Sequence, residues 1–197
     1  ANVDVFSRFK VTASLVVSGA PVSYEVTMEP SSKPWLMVMD AAAQSPVLPG
    51  YQTLMQADLQ WLLNRPVNDL LRYKVQSYPS FQHGPRTPVI GLREFVELPP
   101  GFNPRTLALA NEIRRDARYA QAASGALVDV AMNKLRTGGY TYTLEPGVYG
   151  QNTADEFWFD KKAGFCEHIA SSFVILMRAL DVPARIVTGY QGGEQNS

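Results

Sequence analysis

Hydrophobic and polar residues alternate with period two along much of the N-terminal half. Val22, Tyr24, Val26 and Met28 alternate with Ser23, Glu25, Thr27 and Glu29, the pattern of a strand with one wet face. Met55, Ala57, Leu59 and Trp61 alternate with Gln56, Asp58 and Gln60, and Leu71, Tyr73 and Val75 with Arg72, Lys74 and Gln76. Asn64-Arg65-Pro66-Val67-Asn68-Asp69 supplies turn chemistry between the last two runs, so they are expected to pair as a hairpin. Weaker strands are expected at Phe9 to Val17, Trp35 to Met39 and Arg93 to Leu98. Several short strands with turn signals between them predict a sandwich-like β-rich domain over residues 1–98.

The period changes after Leu98-Pro99-Pro100-Gly101-Phe102, which is taken as the boundary. Asn103 reads as a helix N-cap with Pro104 at the first helical position. Leu107, Ala110, Ile113 and Ala117 mark the inner face of that helix, with Arg114, Arg115 and Arg118 solvated. A second helix begins near Ser124, points Leu127, Val130, Ala131 and Leu135 inward and stops at Gly138-Gly139. Tyr140 to Leu144 is extended, and Glu145-Pro146-Gly147 breaks it. A third helix starts at Cys166, with Phe165, Ile169, Phe173, Leu176, Met177 and Leu180 on one buried stripe. Helices followed by a strand near Arg185 make residues 99–197 an α+β half, so the fold class is α+β.

Composition narrows the function classes. Apolar residues make up 46% of the chain and aromatics 11%, which argues for packed cores. Eighteen basic and eighteen acidic residues cancel, so no steering toward nucleic acid is expected. No apolar run approaches the roughly 18 residues of a membrane span, so no membrane contact is expected within the chain. One cysteine and two widely spaced histidines make no zinc pattern, and no metal or other cofactor is expected. Gly192-Gly193 precedes no helix and reads as a turn.

Candidate chemistry centres on Cys166, the sole cysteine. Lys161 and Lys162 precede Gly164, and the thiol then falls in the first turn of the third helix. Unpaired backbone N–H groups and the helix dipole there favour an anionic sulfur, the form that acts as nucleophile. A buried structural cysteine is the competing reading. His168 lies two residues on, roughly 200° around a helix that turns about 100° per residue. Its imidazole is therefore expected to point away from the sulfur and to serve a structural, hydrogen-bonding role. His83 is expected in a loop, Arg185 in a structural ion pair, and Asp155 and Glu156 at a solvated edge. Phe157-Trp158-Phe159 reads as core in preference to a cleft wall.

The string from Phe157 to Tyr190 adds a resemblance. Gly164 and Cys166 open the helix, Ala179-Leu180 end it, and Pro183-Ala184-Arg185 leads toward Gly189-Tyr190. This is similar to the transglutaminase-like superfamily of papain-like cysteine enzymes. It resembles most the branch found as extracytoplasmic domains of bacterial inner-membrane proteins. The resemblance implies Cys166 as the nucleophile and a periplasmic setting for a soluble domain with a membrane-anchored parent. The substrate it implies is a protein or peptide amide, transferred through a Cys thioester as in protein-glutamine gamma-glutamyltransferases. A cysteine protease or amidase, or a non-catalytic envelope-binding module, are the alternatives. The family's catalytic His and Asp lie on strands after the helix, so here they are expected beyond Ser197. On that reading residues 99–197 are the first part of a catalytic domain: an excised piece, a proteolytic fragment or one half of a split fold. A complementary C-terminal fragment would then be a partner, and the chain alone would be inactive.

Overall fold

Side-chain alternation decides which strand faces are buried, but long-range pairing decides which strands meet. A computed structural model of the chain describes residues 2–6, 12–84, 90–189 and 192–194, which fall in two units, Ala1–Gly91 and Leu92–Ser197. The first unit holds β1 (Asn2–Phe6), β2 (Thr12–Ser18), β3 (Val22–Met28), β4 (Thr53–Met55), β5 (Trp61–Leu63), β6 (Leu71–Ser77) and β7 (Ser80–Gly84). All pairs among them are antiparallel: a three-stranded sheet ordered β1-β2-β7, and the two pairs β3-β6 and β4-β5. β3 and β6 follow the alternation expected of them, burying Met28, Tyr73, Val75 and Ser77.

The expected hairpin between the Met55–Trp61 and Leu71–Gln76 runs does not form. β6 pairs instead with β3, Tyr24 opposite Val75 and Val26 opposite Tyr73. The Met55–Trp61 run folds back on itself as the β4-β5 hairpin. Leu59 takes φ 69°, and Asp58 Oδ1 accepts the Gln60 N–H at 3.2 Å, which closes the turn. Met55, Leu59 and Trp61 are nevertheless all buried, as their spacing predicted. Trp35–Met39 joins no ladder among the described residues beyond a bridge from Trp35 to Leu62. Its backbone is held by side chains: Tyr73 Oη donates to Met37 O at 2.7 Å, Ser77 Oγ to Met39 O at 2.9 Å, and Met39 N–H donates to Tyr24 Oη at 2.8 Å. Of the expected Phe9–Val17 strand, residues 9–11 lie outside the described residues and the rest belongs to β2. His83 sits in β7 opposite Leu15, not in a loop.

Tyr73 provides a pH test of this unit. Burial, partly offset by the Met37 bond, pushes its phenol from 10.0 up to about 12. The folded state favours the neutral phenol, so the stabilisation is complete below pH 10 and is lost as pH rises from about 10 to about 12. Urea midpoints should fall between pH 9.5 and 11.5 in the wild type. Tyr73→Phe should flatten that fall while losing about 1 kcal/mol at neutral pH. An unchanged alkaline slope would contradict the assignment.

The second unit holds α1 (Pro104–Arg115), α2 (Ser124–Thr137), β8 (Thr141–Tyr142), α3 (Thr153–Asp155), a π-helical turn (Glu156–Lys161), β9 (Ala163–Gly164) and α4 (Cys166–Ala179). β8 and β9 pair in parallel. Ala110, Leu127, Ala131, Phe157, Trp158, Leu176, Met177 and Leu180 form its core. The aromatic triplet is core at two of its three positions: Trp158 donates from Nε1 to Ser172 O at 3.1 Å, and Tyr140 stacks on Phe157 at 5.1 Å.

The division between units falls ahead of the Pro99-Pro100 break. Residues Ile90–Phe95 form a 3₁₀ turn where a strand was expected at Arg93–Leu98. The carbonyls of that segment are taken by the second unit, Phe95 O by Ala184 N–H and Glu97 O by Arg178 Nη1, each at 3.0 Å. The strand expected from Arg185 onward is also absent among the described residues. No described segment pairs with Ile186 and Val187, which are 47% and 83% exposed, and a strand without a neighbour has no ladder to stabilise it. Arg185 lies with its guanidinium 5.8 Å from the Phe95 ring centre.

Three local expectations are corrected around α1. Asn103 adopts φ 52° and makes no side-chain bond to its own helix. Its Oδ1 instead accepts the N–H groups of Ala154 and Asp155, at 3.0 and 3.4 Å. Asp155 returns the favour. Its carboxylate accepts Arg105 N–H at 2.9 Å, Thr106 N–H at 2.7 Å and Thr106 Oγ1 at 2.7 Å, so α1 is capped from across the fold. Asp155 is therefore buried rather than a solvated edge. Arg114 is likewise engaged, donating to Leu180 O at 2.6 Å where α4 ends.

Candidate active site

A glycine in a two-residue strand brings Cys166 to the start of α4. β9 ends at Gly164, Phe165 is extended at φ −109° and ψ −174°, and the helix begins at the cysteine. Phe165 contributes no side-chain cap. The first intrahelical bond runs from Ile169 N–H to Phe165 O at 3.1 Å, so the N–H groups of Cys166, Glu167 and His168 come ahead of it. Cys166 is an exposed free thiol, contrary to the buried structural alternative. Leu176, Met177 and Leu180 anchor the far end of α4 in the core, as the stripe predicted. Asp181 in the left-handed region at φ 58° ends the helix, with Val182 N–H to Met177 O at 2.9 Å and Asp181 N–H to Arg178 O at 3.0 Å.

His168 packs where a hydrogen-bonding role was expected. Side chains on a helix lean toward its N-terminus, and His168 leans over Gly164. A Cβ placed on Gly164 would come within 2.7 Å of His168 Cβ. The imidazole lies 4.5 Å from the Tyr149 ring and 4.4 Å, edge-on, from Phe165. Its Nδ1 is buried with no hydrogen-bond partner among the described residues.

Tyr149 is the member of this site that the sequence did not announce. It follows the Glu145-Pro146-Gly147 break, with no periodicity to mark it. Its hydroxyl donates to Ala163 O at 2.6 Å. Burial first, and then the Glu156 carboxylate, hold its phenol above the usual range and keep it a donor. Lys161 lies over the Tyr149 ring at 5.0 Å, and Lys162 donates to Gly138 O at 3.2 Å. An apolar pocket lined by Leu98, Pro99, Phe102, Asn103 and Ile175 lies further along α4 and does not include the thiol. Among the described residues no group of three or more His, Cys, Asp or Glu could hold a metal, and no helix is long and apolar enough to cross a membrane.

Comparison with known proteins bears on the family and the fold. Residues 107–197 match the core of the transglutaminase-like superfamily, and residues 4–83 match the TgpA N-terminal domain. The chain is similar to a protein-glutamine gamma-glutamyltransferase of Pseudomonas aeruginosa, 37% identical over 90% of this chain and 25% of that one. It is also 30% identical to the uncharacterized protein YebA of Bacillus subtilis, over 51% of this chain and 13% of the relative. The chain thus spans a quarter or less of these relatives. Among solved structures it resembles the periplasmic domain of TgpA from P. aeruginosa, with a TM-score of 0.80 and 34% identity over 92% of this chain and 60% of that domain. The same domain bound to ethylmercury also matches at a TM-score of 0.80, with 63% of it covered.

Proposed function

Since residues 107–197 belong to the transglutaminase-like superfamily, we propose that Cys166 is the nucleophile of an acyl transfer on protein amide groups in the periplasm. The observation that carries this reading is the exposed thiol at the first position of α4. The sulfur attacks a glutamine carboxamide carbon, a C–S bond forms, and the C–N bond breaks as the departing ammonia takes a proton. A lysine amine then attacks the thioester, the C–S bond breaks and an isopeptide remains. The N–H groups of Cys166, Glu167 and His168, which precede the first intrahelical bond of α4, are suited to the oxyanion. The proton donor and its orienting carboxylate are assigned to a His and an Asp after Ser197 in the longer protein. His168 is committed to packing and His83 lies in β7 of the other unit.

Three measurements test this. In the native chain, iodoacetamide should add one label at Cys166, and ethylmercury should bind one per chain, because thiolates favour soft metals. The 197-residue chain by itself should show no turnover on glutamine peptides. The longer protein should release ammonia and incorporate a primary amine, and Cys166→Ala should reduce both at least about a thousandfold. Ammonia release without amine incorporation would make the enzyme a hydrolase. Turnover that survives Cys166→Ala, or a thiol labelled only after denaturation, would sink the reading.

A further inference from the structure

Four consecutive carbonyls lead to the thiol, and each is held by a different group. Lys162 O accepts Thr141 N–H at 2.8 Å, Gly164 O accepts Thr143 N–H at 2.9 Å, and Phe165 O accepts Ile169 N–H at 3.1 Å. Ala163 O is held by a side chain, the Tyr149 hydroxyl, at 2.6 Å. His168 closes the remaining side: a Cβ on Gly164 would come within 2.7 Å of the His168 Cβ and 3.0 Å of its Cγ, and the imidazole lies against the rings of Tyr149 and Phe165. The segment is thus fixed up to the residue that carries the sulfur, while the sulfur itself stays exposed.

We infer that Tyr149 and His168 are positioning residues that clamp Ala163–Phe165 and so aim Cys166. The inference rests on the reading of Cys166 as the nucleophile. Two features separate the clamp from ordinary packing. The Tyr149 bond reaches from a loop to a two-residue strand that, among the described residues, pairs with β8 alone, so the strand depends on it. The buried Nδ1 of His168 has no partner among the described residues, so the imidazole contributes shape rather than a hydrogen bond through that atom. A nucleophile held at its base and free at its tip loses little freedom on attack, which is where such positioning acts.

The test compares the rate of native-state alkylation by iodoacetamide with the rate in denaturant. Tyr149→Phe keeps the ring and removes only the bond to Ala163 O; its native rate should fall about threefold, as the helix start loses its fixed direction toward the sulfur. His168→Ala should lower the rate about tenfold, and His168→Phe, which restores a ring over Gly164, should recover most of that loss. In the longer protein the same variants should lower kcat by similar factors and leave KM unchanged, which a general loss of stability would not do. Native rates within about a factor of 1.5 of wild type in both folded variants would overturn the clamp. Should His168→Ala fail to fold, Tyr149→Phe decides alone. If Cys166→Ala leaves turnover intact while the variants still slow alkylation, the nucleophile reading fails and the clamp stands. If Cys166→Ala abolishes turnover while the variants alkylate like wild type, the clamp fails and the nucleophile stands.

Discussion

Asp155→Ala should lose about 3–5 kcal/mol of stability in the C-terminal unit. Two backbone N–H groups, of Arg105 and Thr106, and the Thr106 hydroxyl would lose their acceptor together. Thr106 is fully buried, so water cannot replace the carboxylate there. Each buried donor left unpaired costs about 1–3 kcal/mol, and the helix start also loses a favourable negative charge. Asp155→Asn keeps one acceptor oxygen and should lose about half as much. The control is Asp160→Ala, which removes an exposed ion pair to Arg105 and should cost under about 1 kcal/mol. Urea unfolding followed by circular dichroism would give all three values. Equal losses for Asp155→Ala and Asp160→Ala would mean that α1 does not depend on this cap.

Gly164→Ala is expected to damage the thiol site more than any other single added methyl there. The new Cβ would meet His168 Cβ at 2.7 Å and Cγ at 3.0 Å. Both are close to the backbone of α4 and cannot swing aside, so the strand and the helix start must separate. The cost should be about 1–3 kcal/mol, and native alkylation of Cys166 should fall about tenfold. Truncating His168 to Ala leaves its Cβ in place, so the double variant should not recover. Gly125→Ala is the contrast: nothing lies within 4 Å of its Cβ, and a helical alanine there should be neutral or stabilising by up to about 1 kcal/mol. Wild-type labelling by Gly164→Ala would show that the close approach does not constrain the thiol.

The family, the helix that carries Cys166 and its buried stripe were legible in the residues, because helical burial repeats locally. The same holds for the inward faces of β3 and β6 and for the burial of Met55, Leu59 and Trp61. Partners were not legible. Period-two alternation says which face is dry but not which strand lies opposite, so the run from Met55 to Trp61 was matched to the wrong neighbour. Trp35–Met39 has strand composition, yet its carbonyls are satisfied by tyrosine and serine side chains from β6. Asp155 sits in a polar stretch that resembles solvated surface, and only the arrival of the α1 start, with free N–H groups to satisfy, makes its burial favourable. Tyr149 and the packing of His168 belong to the same class. By itself the sequence determined periodicity, the candidate nucleophile and the resemblance; tertiary structure decided strand pairing, the capping of α1 by Asp155 and the contacts of Tyr149 and His168, because a hydrogen bond or contact between distant residues depends on where the chain returns.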